Sequence, residues 1–277
     1  MSHGRYTYEI EPGVLRGLGL HELWHYRHLA GLLAWRNVRV RYKQTLLGMA
    51  WGILAPVAYT LIFLLLFRLV AVKAAGNLPY VPVVFAGMVF WQFFSRGLAD
   101  AGTSLTANAN LITKVYFPRL VLPLASVLSG LIDLAIALVL LIVLMFWYRI
   151  APTANLFAAP LFMLLGVLLT LGGSLWFAAM DGLFRDLRHA VPLLLQLAMF
   201  VSPVAYTTSA IVPEHWRWLY EWNPMVACLE GLRWSLFPGA AAPTLAMVTK
   251  ALVVTSVLLV GGLFFFARVE RTVVDRV

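Results

Sequence analysis

Long apolar runs, separated by short polar and mostly basic breaks, set the pattern of this chain. A spanning helix needs about 20 predominantly apolar residues. That length is met six times, at 46–67, 80–99, 120–148, 156–180, 190–206 and 245–267. The pattern predicts an all-α polytopic membrane protein with six transmembrane helices, and an even number of crossings returns both termini to one side. The second run loses its uncharged character before Arg96, so its helix must continue into an interface or into protein. The third is longer than a bilayer needs and should tilt or protrude.

Two regions fit neither a crossing nor a soluble domain. In 1–45, Leu20, Leu23, Trp24, Leu29, Leu32, Leu33 and Trp35 recur at mostly helical spacing against His and Arg. This predicts an N-terminal amphipathic helix lying along the membrane interface. Between the fifth and sixth spans, 207–240 carries Pro213, Pro224 and Pro238 as breakers around short pieces rich in Trp216, Trp218, Trp222 and Trp234. Pieces too short to cross and too apolar to leave the membrane read as re-entrant or interfacial helices. A tail of 268–277 follows the last span.

Charge orients this arrangement. Arg5, Arg16, Arg27, Arg36, Arg39, Arg41 and Lys43 precede the first span. Arg96, Lys114 and Arg119, then Arg185 and Arg188, then Arg268, Arg271 and Arg276 fall in the loops and tail on the same side. Only Arg68, Lys73, Arg149, Arg217, Arg233 and Lys250 remain for the other side, so the positive-inside rule places both termini in the cytoplasm. The net charge of +9 sits beside membrane ends, where it meets anionic headgroups, and nucleic acid is not an expected partner. Arg36, Arg39, Arg41 and Lys43 are the candidates for lipid headgroups at a cytoplasmic entrance. The N-terminal region lacks the apolar run of a cleavable signal peptide. The lone Cys228 excludes an intramolecular disulfide framework and a thiolate metal cluster.

Candidate chemistry is sparse. His21 to His25, HELWH, matches a zinc-protease pattern of two histidines one turn apart with a glutamate base, and His28 could be imagined as a third ligand. Three ligands on one short helix converge poorly and the motif lies outside any span, so solvated interfacial histidines are the preferred reading and no metal site is assigned. No G-x-x-x-x-G-K-[ST] phosphate loop is present, and no catalytic residue is assigned. Gly48 and Gly52 form a G-x-x-x-G at the first span, a helix-packing signal. Asp133 is the one acid within the third span; it has no obvious basic partner in neighbouring spans, and either a direct role or an interhelical bond would explain it.

Three sets of residues call for a partner or ligand. The stretch Asn108 to Arg119, NANLITKVYFPR, neither spans nor is simply solvated. It sets Tyr116 and Phe117 beside Lys114 and Arg119, the character of a docking surface for a soluble protein. Its alternative is a charged turn with Pro118 at a helix start and its cations on lipid phosphate. The shorter RDLRH, with Arg185, Asp186 and Arg188, is a second such candidate. In the first span, Tyr59, Phe63 and Phe67 recur every fourth residue and share a face; Trp91, Phe94 and Tyr206 could extend that aromatic lining, which packing or lipid contact would equally explain.

RNVRVRYKQTLLGMAWGILAP, NANLITKVYFPRLVLP, FRDLRHAVP, SPVAY and WNPM, in that order, together resemble the permease subunit of ABC-2 type polysaccharide exporters, the Wzm/TarG group. The resemblance runs from about Leu33 to the last span. It implies a homodimer of this permease with two copies of a separate ATPase, which would hold ATP and Mg, leaving this chain without a cofactor. It further implies outward passage of an undecaprenyl-linked polysaccharide, such as O-antigen, across the bacterial inner membrane. On that basis, the Asn108–Arg119 and RDLRH residues become candidates for ATPase coupling and the aromatic set a polysaccharide channel. An exporter of a smaller lipid or drug within the same superfamily is the alternative.

Overall fold

The computed structural model describes residues 20–43, 50–66, 78–184 and 186–274, and every regular element among them is a helix. Phe67, Arg185, Gly48 and the start of the first expected span lie outside the described residues. In chain order the α-helices are α1 Leu20–His25, α2 Arg27–Lys43, α3 Ala50–Leu66, α4 Tyr80–Gly102, α5 Ser104–Ala107, α6 Ala109–Ile112 and α7 Val121–Trp147. Then come α8 Ala159–Asp181, entered through a 3-10 turn at Ala154–Ala158, α9 Leu187–Val201, α10 Thr208–Ile211, α11 Glu214–Tyr220, α12 Pro224–Leu236 and α13 Leu245–Val274.

Among the described residues four stretches are long and apolar enough to cross a membrane: Tyr80–Gly102, Val121–Trp147, Ala154–Asp181 and Leu245–Val269. The apolar parts of α3 and α9 are shorter, Ile53–Leu65 and Leu187–Val201. The expected fifth run of 190–206 is corrected at its end. α9 stops at Val201 and Ser202 turns to extended backbone (φ −94°, ψ 149°), because the ring of Pro203 disfavours helix in the residue before it.

α4, weak as a span by sequence, is the centre of the bundle. Pro82 to Trp91 are all buried, and α3, α7 and α8 pack around it. Its continuation to Gly102 runs into protein, so Arg96 and Asp100, on one face with Gln92 at a spacing of four, find charged partners there. α7 is 27 residues long, about 40 Å at 1.5 Å per residue against a hydrocarbon core of about 30 Å. It ends in a left-handed residue, Arg149 (φ 54°), with the Ile150 N–H on the Met145 carbonyl at 2.9 Å.

α8 and α13 form the most extensive pair, and small residues permit it: a Cβ on Gly172 would lie 2.9 Å from the Leu259 nitrogen. Trp176 of α8 seals the contact, donating its indole N–H to the Leu258 carbonyl at 2.9 Å and stacking on Phe265 with centroids 4.8 Å apart. α2 runs along α7 with Ala30, Leu33, Ala34 and Val38 buried, while Leu32, Trp35 and Val40 are exposed.

At the end of the bundle opposite α2, two sequence motifs meet. Asn223 caps α12, accepting from the Met225 N–H at 3.1 Å ahead of Pro224 in the first turn, and donates to Ser202 Oγ at 3.0 Å. Arg233, 1% exposed, holds the non-helical segment after α9 by donating to the carbonyls of Val204 at 2.7 Å and Tyr206 at 2.6 Å. This close approach requires Gly87, where a Cβ would sit 2.1 Å from the Val204 oxygen.

Gly87→Ala is therefore expected to lower stability by about 1–3 kcal/mol, the usual cost of overpacking. Gly31→Ala, with nothing within 4 Å of its Cβ, should be neutral or stabilising by about 0.5–1 kcal/mol. Thermal unfolding of the detergent-solubilised variants checks both.

Candidate functional site

One polar cluster lies where α2, α4 and α7 meet. The stripe of α2 that packs on α7, Ala30, Ala34 and Val38, continues at helical spacing into Arg41 and Tyr42. Both reach Asp133, in the middle of α7. Arg41 Nη1 donates to Asp133 Oδ2 and Tyr42 Oη to Asp133 Oδ1, both in short bonds. Arg41 Nη2 also donates to Asp100 Oδ2 of α4 at 2.7 Å. Arg96, one turn before Asp100, stands 3.7 Å from Asp133 Oδ2. The sequence-based expectation that Asp133 lacks basic partners is thus corrected: Arg41 and Arg96 flank it, one from a neighbouring span and one from outside the spans. The Asp133 side chain is 12% exposed, and removing one partner of such a buried pair commonly costs about 3–5 kcal/mol. Burial, with the bond to Asp133 second, pushes the Tyr42 phenol up to about 12, so Tyr42 remains a donor throughout the physiological range. Between α3, α4 and α7 a cleft lined by Ala55, Pro56, Gln92, Arg96 and Asp133 opens beside the cluster.

The basic edge is tied to the same helix. Arg36 of α2 donates to Asn108 Oδ1 at 2.6 Å, and Asn108 Nδ2 donates to the Ser104 carbonyl at 2.8 Å. Asp181, buried at the end of α8, accepts from Thr106 of α5 at 2.8 Å and from Arg188 Nε of α9 at 2.7 Å. The two stretches singled out by sequence, around Asn108 and around Arg188, are therefore joined through Asp181, which sequence reasoning missed. Asp186 is exposed, as are Lys114, Arg39 and Lys43, and Arg119 is half-buried.

The aromatic pair expected on this edge is split. Tyr116 is 87% exposed, whereas Phe117 is 5% exposed and packs in an apolar cluster with Leu33, Leu105, Leu120 and Leu175. Pro118 and the bend before α7 turn consecutive side chains to opposite sides. His28 lies on α2, past the break at Tyr26 that ends α1, so HELWH and His28 do not share one helix.

The aromatic lining is also divided. Tyr59 is 42% exposed on α3, but Phe63 is buried against Phe200 of α9, with ring centroids 6.1 Å apart. Tyr206 Oη donates to the Phe200 carbonyl at 3.1 Å and meets Tyr220 Oη at 2.9 Å, so Phe63, Phe200, Tyr206 and Tyr220 form one connected run from α3 to α11. Trp91 is buried in the core and pairs with half-buried Phe94 at 5.4 Å.

The profile of ABC-2 type transporters matches residues 28–237, which holds α2 through α12. The chain belongs to the ABC-2 type transporter family. This ABC-2 protein is 34% identical over 209 residues to the O-antigen export system permease protein RfbA of Myxococcus xanthus, covering 75% of this chain and 80% of that one. It is 30% identical over 199 residues to RfbA of Klebsiella pneumoniae, 72% and 76% of the two chains. It is 23% identical over 236 residues to the polysialic acid transport protein KpsM of Escherichia coli, 85% and 91%. With its apolar helices, the match makes it a multi-pass membrane protein and a transporter subunit rather than an enzyme.

Because Phe117 is core and Tyr116 is not, Phe117→Ala should cost about 3–5 kcal/mol and reduce the amount of protein in the membrane. Tyr116→Ala should leave that amount unchanged. Immunoblotting of membranes at matched expression compares the two.

Proposed function

We propose that this chain is the channel-forming permease subunit of an ATP-driven exporter that moves a lipid-linked polysaccharide of the O-antigen type outward across the bacterial inner membrane. The observation that carries this reading is the similarity, over about three quarters of the chain, to permeases named for O-antigen export. The carrier is an undecaprenyl-type lipid. The permease works as a homodimer with two copies of an ATPase subunit, the partner that ABC-2 family membership implies. α3, α4, α7, α8, α9 and α13 are the six crossings. α2 is the interface helix, α10 to α12 are the re-entrant region, and both termini are cytoplasmic. The basic edge then faces the cytoplasm, where exposed Tyr116 and Lys114 are free to meet the ATPase. Arg36, Asn108, Thr106 and Arg188 tie that edge to α2, α5, α8 and α9.

Sugars offer C–H faces that stack on aromatic rings, and a sliding polymer needs repeated weak contacts. Exposed Tyr59 on α3 and exposed Phe200 on α9 are the rings best placed to supply them; Trp91 is too buried for direct contact.

Deleting the gene in its native host is expected to abolish surface polysaccharide and leave lipid-linked polymer inside, with restoration by a plasmid copy; unchanged surface polysaccharide would return the reading to a smaller substrate. Tyr116→Ala, removing an exposed anchor worth about 2 kcal/mol at an interface centre, should weaken co-purification of the ATPase more than Lys114→Glu does. Tyr59→Leu, which keeps the helix apolar, should reduce surface polysaccharide at unchanged permease abundance, scored by polysaccharide gels against a membrane blot.

A further inference from the structure

The contacts around Asp133 show one carboxylate between two cations that are not equivalent. Arg41, on α2, is fully engaged: one nitrogen on Asp133 and one on Asp100. Arg96, on α4, has as its ion pair among the described residues only the 3.7 Å approach to Asp133 Oδ2, the same oxygen that Arg41 holds. A shift of less than about 1 Å would bring it to hydrogen-bond distance. The cleft at Ala55, Pro56, Gln92 and Gly130 gives its guanidinium room to move.

We propose that Asp133 is a two-position latch for α2. Arg41, with Tyr42 on the other oxygen, holds it in the conformation described here, and Arg96 takes the place of Arg41 when α2 is drawn away with both side chains during the transport cycle. A carboxylate in the middle of an apolar helix cannot be left alone, because its charge is poorly solvated there. A cation on α2 alone would therefore pin that helix permanently. A second cation on α4 makes release a partner exchange instead. Asp100, freed by the departure of Arg41, is half-exposed and takes water. The pull arrives through the basic edge, since Arg36 on α2 is bonded to Asn108. Arg96 is thus a positioning residue for coupling, acting through Asp133 and α2.

This inference rests on the ATP-driven exporter reading, but its readout does not depend on the cargo. The permease–ATPase complex is reconstituted in vesicles with spin labels on Val40→Cys of α2 and Val139→Cys of α7, both exposed sites, with Cys228 left in its buried position. The distance between labels should change on ATP binding in the parent. With Arg96→Gln it should stay at its nucleotide-free value, and export should fall by roughly tenfold or more, since the latch then has no second partner. Arg96→Lys should keep the ATP-driven change. In an Asp133→Asn background, Arg96→Gln should have no further effect, because the carboxylate that needs exchanging is gone. The proposal is overturned by an absent distance change in the parent, by a parental change in Arg96→Gln, or by equal losses from Arg96→Gln with and without Asp133. Where Arg96→Gln fails to accumulate, Arg96→Lys decides: a retained change supports the latch and a lost one refutes it. An absent distance change in the parent with intact polysaccharide export would remove the latch alone; a cell that keeps its polysaccharide without the gene would remove the exporter reading alone.

Discussion

An ionised carboxylate on an apolar helix forces its surroundings to answer for it. Asp133 sits about 18 Å along α7 from Val121, with hydrocarbon-type side chains before and after it. It is met there by Arg41 and Tyr42 from α2 and by Arg96 from α4. That requirement fixes where α2 lies, which face of α4 turns toward α7, and why α4, rather than a more apolar helix, occupies the centre of the bundle. The apolar packing of Ala30, Leu33, Ala34 and Val38 would hold α2 against α7 in several registers, and the ion pairs select one.

The same rule operates at the other end with the sign reversed. Arg233 is enclosed, and the carbonyls of Val204 and Tyr206, with Glu230 at 3.6 Å, supply its negative partners. Glu230 in turn accepts from the Thr208 N–H and hydroxyl, at 2.7 and 2.8 Å. A backbone segment that leaves helical geometry at Ser202 has carbonyls to satisfy, and a guanidinium with five donors satisfies two of them together. Charge thus joins α2, α4 and α7 around Asp133 and holds the segment after α9 around Arg233, small-residue contacts join α8 and α13, and α3 and α9 keep broad exposed apolar faces.

Much of this was legible in the sequence. Apolar run length located the long helices, the interruption of the second run announced that α4 would continue into an interface or into protein, and the end of the fifth helix at Val201, ahead of Pro203, was revealed only by the backbone. The site was less legible, for an identifiable reason. Ion pairs and hydrogen bonds here join positions 41, 100 and 133, or 106, 181 and 188, and no local spacing encodes such pairings. Two signals existed: Gln92, Arg96 and Asp100 fall four apart on one face of α4, and Arg41 continues the buried stripe of α2. Neither was read as a partner for Asp133, which by sequence has no obvious basic one in the neighbouring spans. The opposite fates of Tyr116 and Phe117 had no such signal, because a turn of irregular geometry has no period from which to read a face. The ridge of Tyr59 and Phe63 divides for another reason: a shared face on a helix does not mean a shared environment once α9 covers one of the two rings.

The central claim is that this ABC-2 family member carries polysaccharide across a membrane under the drive of a separate ATPase. Reconstitution measures it most directly. The permease and its partner ATPase are placed in vesicles loaded with tritium-labelled lipid-linked polysaccharide, the ATPase facing outward, and polymer that becomes inaccessible to an added glycosidase is counted with time. The account predicts ATP-dependent protection that requires both proteins and does not occur with a non-hydrolysable nucleotide. Equal protection without ATP, or none with both proteins and ATP present while a lipid or small amphiphile is moved, would contradict it.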